Sequence, residues 1–170
     1  MRKVLFLDID GVLHRGVARR AGNRVVSSSP EVALFEYVPV LDDLLRPYSD
    51  VEIVLSSDWS VVLGTEFTRN AIPSPLVRER IVAATFDGCA SNPLFWPVLT
   101  RGGQILDYVA RNEPLSWLAV DDRTDGFEAH RHRLVHCQTE VGLGDCAVVE
   151  KFREMLQHCF GDALRYDAEN

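Results

Sequence analysis

Apolar residues arrive along this chain in two rhythms. Short runs rich in apolar residues stand at 4–7, 51–55, 81–86, 117–120 and 134–137, the first and fourth unbroken. Runs of this length fit strands covered on both faces, as in a parallel sheet. Between them the spacing changes to three and four. Leu34, Phe35, Val38, Leu41, Leu44 and Leu45 predict a helix over 31–48, kinked or split at Pro39. A second helix is predicted over 59–72, stopped by Pro73 and Pro75, with one more helical turn over 76–80. Ile105, Leu106, Tyr108 and Val109 give an amphipathic helix over 104–112, entered through Arg101, Gly102 and Gly103. Asp145 caps a last helix carrying Val148, Val149, Phe152, Met155, Leu156 and Cys159, with Gly161 in its C′ position. Segments 16–19 and 24–27 can pair across Ala21, Gly22 and Asn23 as a small hairpin. The breaker-rich stretch 87–100 reads as a loop in which Phe95 and Trp96 pack as a plug or line a pocket. Alternating strands and helices predict an α/β fold: a doubly wound, mainly parallel five-stranded sheet with a hairpin flap over about 12–29. The 170 residues suffice for one domain, expected over 1–161 with a polar tail at 162–170.

Polar chemistry gathers where the strands stop. The first run ends in Asp8-Ile9-Asp10-Gly11, the second in Ser56-Ser57-Asp58, and the fourth in Asp121-Asp122 with Asp125 behind. In an open α/β sheet these carboxyl ends share one edge, where ligands bind. Two aspartates at the mouth of a buried strand repel unless a cation joins them or one keeps its proton. Magnesium, a hard cation that takes oxygen ligands, answers that need. Alone, the first motif reads equally as a strand followed by an Asp-Gly turn. Ser56 and Ser57 can present hydroxyls and N–H groups to an anion or simply cap the next helix. Asp58 is a helix cap, an acid behind the site, or a substrate contact. Arg101 can reach the same edge. Several carboxylates, a hydroxyl and a guanidinium together describe a site for magnesium and a phosphoryl group.

Charge sharpens this picture. The chain carries a net −7, which argues against a surface that grips nucleic acid everywhere. Yet Arg15, Arg19, Arg20 and Arg24 cluster in the flap with no acid among them. They form either a solvated loop or a lip that draws in a polyanion. Cys89, Cys137, Cys146 and Cys159 show no metal-ligand spacing and read mostly as core thiols. Asp8 interrupts the first apolar run too early for a signal peptide, and no stretch is long enough to span a membrane. A cytoplasmic location is expected.

The first motif resembles the opening signature of the haloacid dehalogenase (HAD) superfamily, an apolar strand followed by D-x-D-G. Segment 53–56 is similar to its second motif, Arg101 stands where the third places a basic residue, and 118–122 resembles its acidic fourth. The wording of 53–60, the arginine in third place, the Val-Asp-Asp of 120–122 and Gly142-Leu143 resemble more closely the small HAD domains of Swiss Army Knife RNA-repair proteins. The motif order differs from that of a receiver domain, where the acidic pair opens the chain and the phosphoacceptor comes later.

The resemblance implies a Rossmann-like HAD fold and a magnesium-dependent phosphatase. Asp8 would be the nucleophile that forms an aspartyl-phosphate, and Asp10 the acid and base. Ser56, Ser57, Gly11 and Arg101 would hold the phosphoryl group, with Arg15 and Arg19 contacting substrate. Mg2+ would be held by the Asp8 carboxylate, the Asp10 carbonyl and Asp121 or Asp122. Most family phosphatases carry lysine where this chain has Arg101, and the two are not equivalent. Neither interval between the first three motifs leaves room for a large cap domain. An open site of this kind goes with bulky phosphorylated substrates: a nucleotide, a nucleic-acid end or a phosphoprotein. Two other readings are a HAD-like binding module with little turnover and a phosphotransferase acting on a second substrate.

Overall fold

The computed structural model describes residues 2–22, 24–88 and 95–161. Five strands build one parallel sheet: β1 (Lys3–Leu7), β4 (Val51–Leu55), β5 (Ile81–Ala84), β6 (Ser116–Asp121) and β7 (Leu134–His136). Two more, β2 (Ala18–Ala21) and β3 (Arg24–Ser27), pair antiparallel as a separate hairpin. The sheet order is β5-β4-β1-β6-β7. The chain therefore runs from the centre to one edge, then returns to build the other side. That reversal beside β1 is the switch point of a doubly wound sheet.

The alternation of β1 explains why it is central. Leu5 and Leu7 join Ile53, Leu55, Leu118 and Val120 on one face, against α1 (Val38–Leu45) and α6 (Cys146–Phe160). Val4 and Phe6 join Val54 and Ala119 on the other, against Ile105 and Tyr108 of α5 (Arg101–Asn112). Each such buried side chain contributes about 1.5–3 kcal/mol, so β1 admits no polar residue between Lys3 at its start and Asp8 just past its end. Among the described residues no helix is long and apolar enough to cross a membrane.

Several predicted elements are redrawn. The helix expected over 31–48 is only α1; Pro39 lies in its first turn, where its fixed φ starts the helix instead of kinking it. Phe35, just before it, has φ +62°. The helix expected over 59–72 is two, α2 (Asp58–Leu63) and α3 (Thr65–Ala71), broken at Gly64 with φ +89°. The turn at 76–80 is α4 (Pro75–Arg80), capped by Ser74. The third strand stops at Ala84, short of the predicted Phe86.

Arg101, Gly102 and Gly103 do not lead into α5 but form its first turn, capped by Thr100. Any side chain at Gly102 would collide with the Gly126 carbonyl, so these glycines let the helix start press against the loop after β6. Asp145 caps α6 as expected, accepting from the Ala147 N–H at 2.8 Å. Gly161 ends α6 with φ −61°, not in the left-handed conformation that C′ glycines usually adopt. Trp96 is buried against Phe86, whereas Phe95 is exposed. Cys137 is buried, Cys159 half-buried and Cys146 exposed. Cys89, Asn23 and the 162–170 tail lie outside the described residues.

Candidate active site

Strand register brings the motifs together. Leu7 pairs with Leu55 of β4 and with Val120 of β6. The next residues on those strands are Asp8, Ser56 and Asp121, so three functional side chains stand abreast on one rung. The rung is tied by Asp8 N–H to the Val120 carbonyl (3.2 Å) and Ser56 N–H to the Leu7 carbonyl (2.9 Å). Gly11, with φ +65°, turns the chain back over this edge. A Cβ there would collide with Asp122 Oδ2 and lie 2.9 Å from Thr139 Cα.

Arg101 enters from the first turn of α5 and is 3% exposed. Its Nη2 lies 3.5 Å from Asp8 Oδ2 and 3.5 Å from Asp58 Oδ1; its Nε lies 3.1 Å from Asp121 Oδ2. Nη1 donates to Gln104 Oε1 (2.9 Å), and Gln104 in turn donates to the Trp96 carbonyl (3.1 Å). Gln104 thus holds Nη1, while Nη2 and Nε are turned to the carboxylates. Burial works against its charge, but Asp8, Asp121, Asp58 and Asp122 outweigh that and hold its pKa above the ordinary value.

Asp8, Asp121 and Asp122 each bring one oxygen within 4.8 Å of the others. Burial pushes Asp8 up to about 6, with Arg101 and the Ile9 N–H (2.8 Å to Oδ1) pulling the other way. Burial and the neighbouring Asp8 push Asp121 well above the carboxylate range. Among the described residues three buried side-chain atoms have no hydrogen-bond partner: Ser56 Oγ, Arg101 Nε and Asp121 Oδ2. The last two attract each other at 3.1 Å, but the N–H is not aimed along the contact. Three crowded carboxylates with an orphaned buried oxygen suit a hard cation such as Mg2+. An orphaned hydroxyl and N–H beside them suit an anion.

The fourth motif separates by geometry. Asp121 and Asp122 join Asp8, and Asp122 Oδ2 accepts from Thr139 Oγ1 at 2.7 Å. Asp125 instead takes both Arg123 nitrogens (2.7 and 2.9 Å) and the Arg101 backbone N–H (3.0 Å). The Arg123 contact holds its carboxyl down at about 2. Ser57, not Asp58, caps α2, accepting from the Trp59 N–H at 3.4 Å. Asp58 stands 68% exposed at the mouth of the site, facing Arg101.

Asp10 is not one of the three clustered carboxylates. Its Oδ1 accepts from His14 Nε2 (3.0 Å), the Ala18 N–H (3.0 Å) and Trp59 Nε1 (3.1 Å). Sequence reasoning overlooked both side chains. His14 stands four residues after Asp10, and a single turn brings the two together; Trp59 figures in the sequence only as the start of a predicted helix. The flap arginines divide. Arg15 forms a two-pronged contact with Glu36 (2.9 and 3.3 Å), so the lip does have an acid, supplied from elsewhere in the chain. Arg19 and Arg20 line a cleft of about 150 Å³ with Asp10, Val25, Trp59 and Leu63.

No curated protein and no solved structure matches the chain. A family model described as the HAD domain in Swiss Army Knife RNA repair proteins matches residues 4–148. That span holds the rung at Asp8, Ser56 and Asp121, the Arg101 clamp and the acidic trio, and the chain belongs to this family of HAD-superfamily domains.

Proposed function

We propose that this domain is a magnesium-dependent phosphomonoesterase that works through an aspartyl-phosphate on Asp8. The observation that carries this reading is the gathering around Asp8 of three buried polar atoms that make no hydrogen bond, Ser56 Oγ, Arg101 Nε and Asp121 Oδ2. Folding normally leaves such groups paired, at a cost of about 1–3 kcal/mol for each that is not. A phosphoryl group and its counter-ion would satisfy all three.

Asp8, Asp121 and Asp122 would hold Mg2+, with the Asp10 carbonyl as a further oxygen. The ion would neutralise carboxylate charge that otherwise repels a phosphate dianion. Arg101 and Ser56 bind phosphoryl oxygens. Asp8 attacks phosphorus as the bond to the leaving oxygen breaks, and Asp10 gives that oxygen its proton. Water then attacks the phosphoenzyme, Asp10 takes the water's proton, and the bond to Asp8 breaks to release inorganic phosphate. The cleft lined by Arg19, Arg20 and Trp59 receives the leaving group. Its cationic rim and aromatic wall, together with the RNA-repair context of the family, favour a nucleotide or a nucleic-acid end.

The test is phosphate release with and without Mg2+, for wild type and Asp8→Asn. The panel is p-nitrophenyl phosphate, nucleotides, 3′- and 5′-phosphorylated oligonucleotides and a phosphopeptide. Turnover that needs Mg2+ and disappears in Asp8→Asn supports the enzyme. Full turnover in that variant refutes it. A preference for the phosphopeptide refutes the nucleic-acid substrate.

A further inference from the structure

As the proposed acid, Asp10 hands over a proton from one of its two carboxyl oxygens, and its surroundings distinguish the two. His14 is fully buried beside it. The ring's Nδ1 accepts from the Phe35 backbone N–H at 3.4 Å, and its Nε2 lies 3.0 Å from Asp10 Oδ1. A nitrogen that accepts a hydrogen bond carries no proton, so the ring is neutral and its proton is on Nε2. Nε2–H therefore donates to Asp10 Oδ1. The Ala18 N–H and the Trp59 indole donate to the same oxygen.

The backbone that sets this tautomer is unusual. Phe35 adopts φ +62°, a left-handed conformation uncommon for a bulky side chain. Its ring packs edge-on against His14 (5.8 Å, 85°) and against Trp59 (5.5 Å, 66°). Tyr37 N–H, two residues on, ties to the Leu13 carbonyl at 2.9 Å. One segment thus holds the imidazole through the Phe35 N–H, the Phe35 ring and the backbone of Leu13 beside it. Unfavourable backbone conformations persist where surrounding contacts demand them, and they collect at functional sites.

We infer that His14, held in its Nε2–H form by the Phe35 N–H, is a positioning residue that confines the transferable proton of Asp10 to Oδ2. Three donors converge on Oδ1, so a proton placed there would meet N–H groups on every side. Among the described residues nothing donates to or accepts from Oδ2, and Asp10 lines the cleft proposed for the leaving group. His14 touches neither substrate nor metal in this scheme; it orients the acid that does. The inference rests on the reading of Asp10 as the acid.

The test compares His14→Phe, which keeps ring volume and loses the donor, with His14→Gln, which keeps an N–H donor. Each is assayed with Mg2+ on p-nitrophenyl phosphate, whose aryl oxide leaves unaided, and on glycerol phosphate, whose alkoxide needs a proton. The kcat/KM values report only steps up to leaving-group departure, so later hydrolysis does not enter. His14→Phe should lose about 10- to 100-fold on the alkyl ester and under about threefold on the aryl ester, within the range of general-acid effects. His14→Gln should recover most of the loss. Equal losses on both esters, no loss on either, or no rescue by glutamine would overturn the inference. A second measurement is independent of how the variants fold: the ¹⁵N spectrum of the wild-type imidazole should show Nε2 protonated and Nδ1 bare, and the opposite tautomer would overturn it. Asp8→Asn serves as the control. If it keeps turnover, the phosphatase reading falls, while the tautomer still decides the geometry of His14.

Discussion

Replacing Asp8 by asparagine should abolish turnover and, in metal-free buffer, make the protein more stable. Asp8 is buried, and its folded-state pKa is pushed up from 3.8 to about 6, chiefly by loss of hydration. A shift of that size is worth about 3 kcal/mol between the two protonation states. A raised carboxyl pKa means that the folded chain binds the proton more tightly than the unfolded one. The associated stability is present below pH 4 and is lost as pH rises through the window from 3.8 to about 6. Asparagine resembles the protonated acid and stays neutral at every pH. Its amide oxygen still accepts from the Ile9 N–H. The attraction to Arg101 is already inside the figure, because it opposes the burial penalty on the same group. The variant should therefore exceed wild type by about 2–3 kcal/mol at pH 8 and by about half that at pH 5. Neutralising Asp8 also relieves Asp121, which acts in the same direction. Urea unfolding in EDTA at both pH values measures the difference. An asparagine variant less stable than wild type at pH 8, or a gap that does not change with pH, would refute the reasoning.

Two further outcomes follow from the same geometry. Adding Mg2+ at pH 8 should stabilise wild type by about 2.7 kcal/mol at a hundredfold excess over Kd and raise its unfolding midpoint accordingly. Asp121→Asn should remove most of that response, as read by thermal melts across a magnesium series. Gly11→Ala should cost about 2–4 kcal/mol in urea unfolding, because its φ of +65° is unfavourable for alanine and its Cβ would press on Asp122 and Thr139; a cost below 1 kcal/mol would mean that this loop relaxes freely.

The parts of the site visible in the sequence are those fixed by strand ends. An apolar run that stops at Asp8, Ser56 or Asp121 declares both a buried strand and its polar edge, and parallel register then sets the three side by side. Patterning could not separate Asp121, Asp122 and Asp125, because their roles depend on Arg123 and Thr139 reaching them through space. It missed the partner of Arg15 for the same reason, since Glu36 is 21 residues away. The helix over 31–48 failed at Phe35: helical spacing of apolar residues continues through a segment whose backbone has been turned to meet His14. Gly64 likewise divides in two the stretch over 59–72 that reads as one helix.

The hairpin is fastened at its root and open at its tip. Gly11 N–H bonds to the Gly16 carbonyl (2.9 Å), Gly16 N–H to Thr139 (2.7 Å) and Ser28 N–H to Val17 (3.1 Å), while the Ala18 N–H holds Asp10. At Gly22 a side chain would meet nothing within 4 Å. For an engineer, or for evolution, this makes the hairpin an exchangeable cassette. The residues around Gly22 at the tip can be lengthened, recharged or replaced to suit a different leaving group. The root at 16–18 carries the mechanical connection to the acid and must be inherited unchanged.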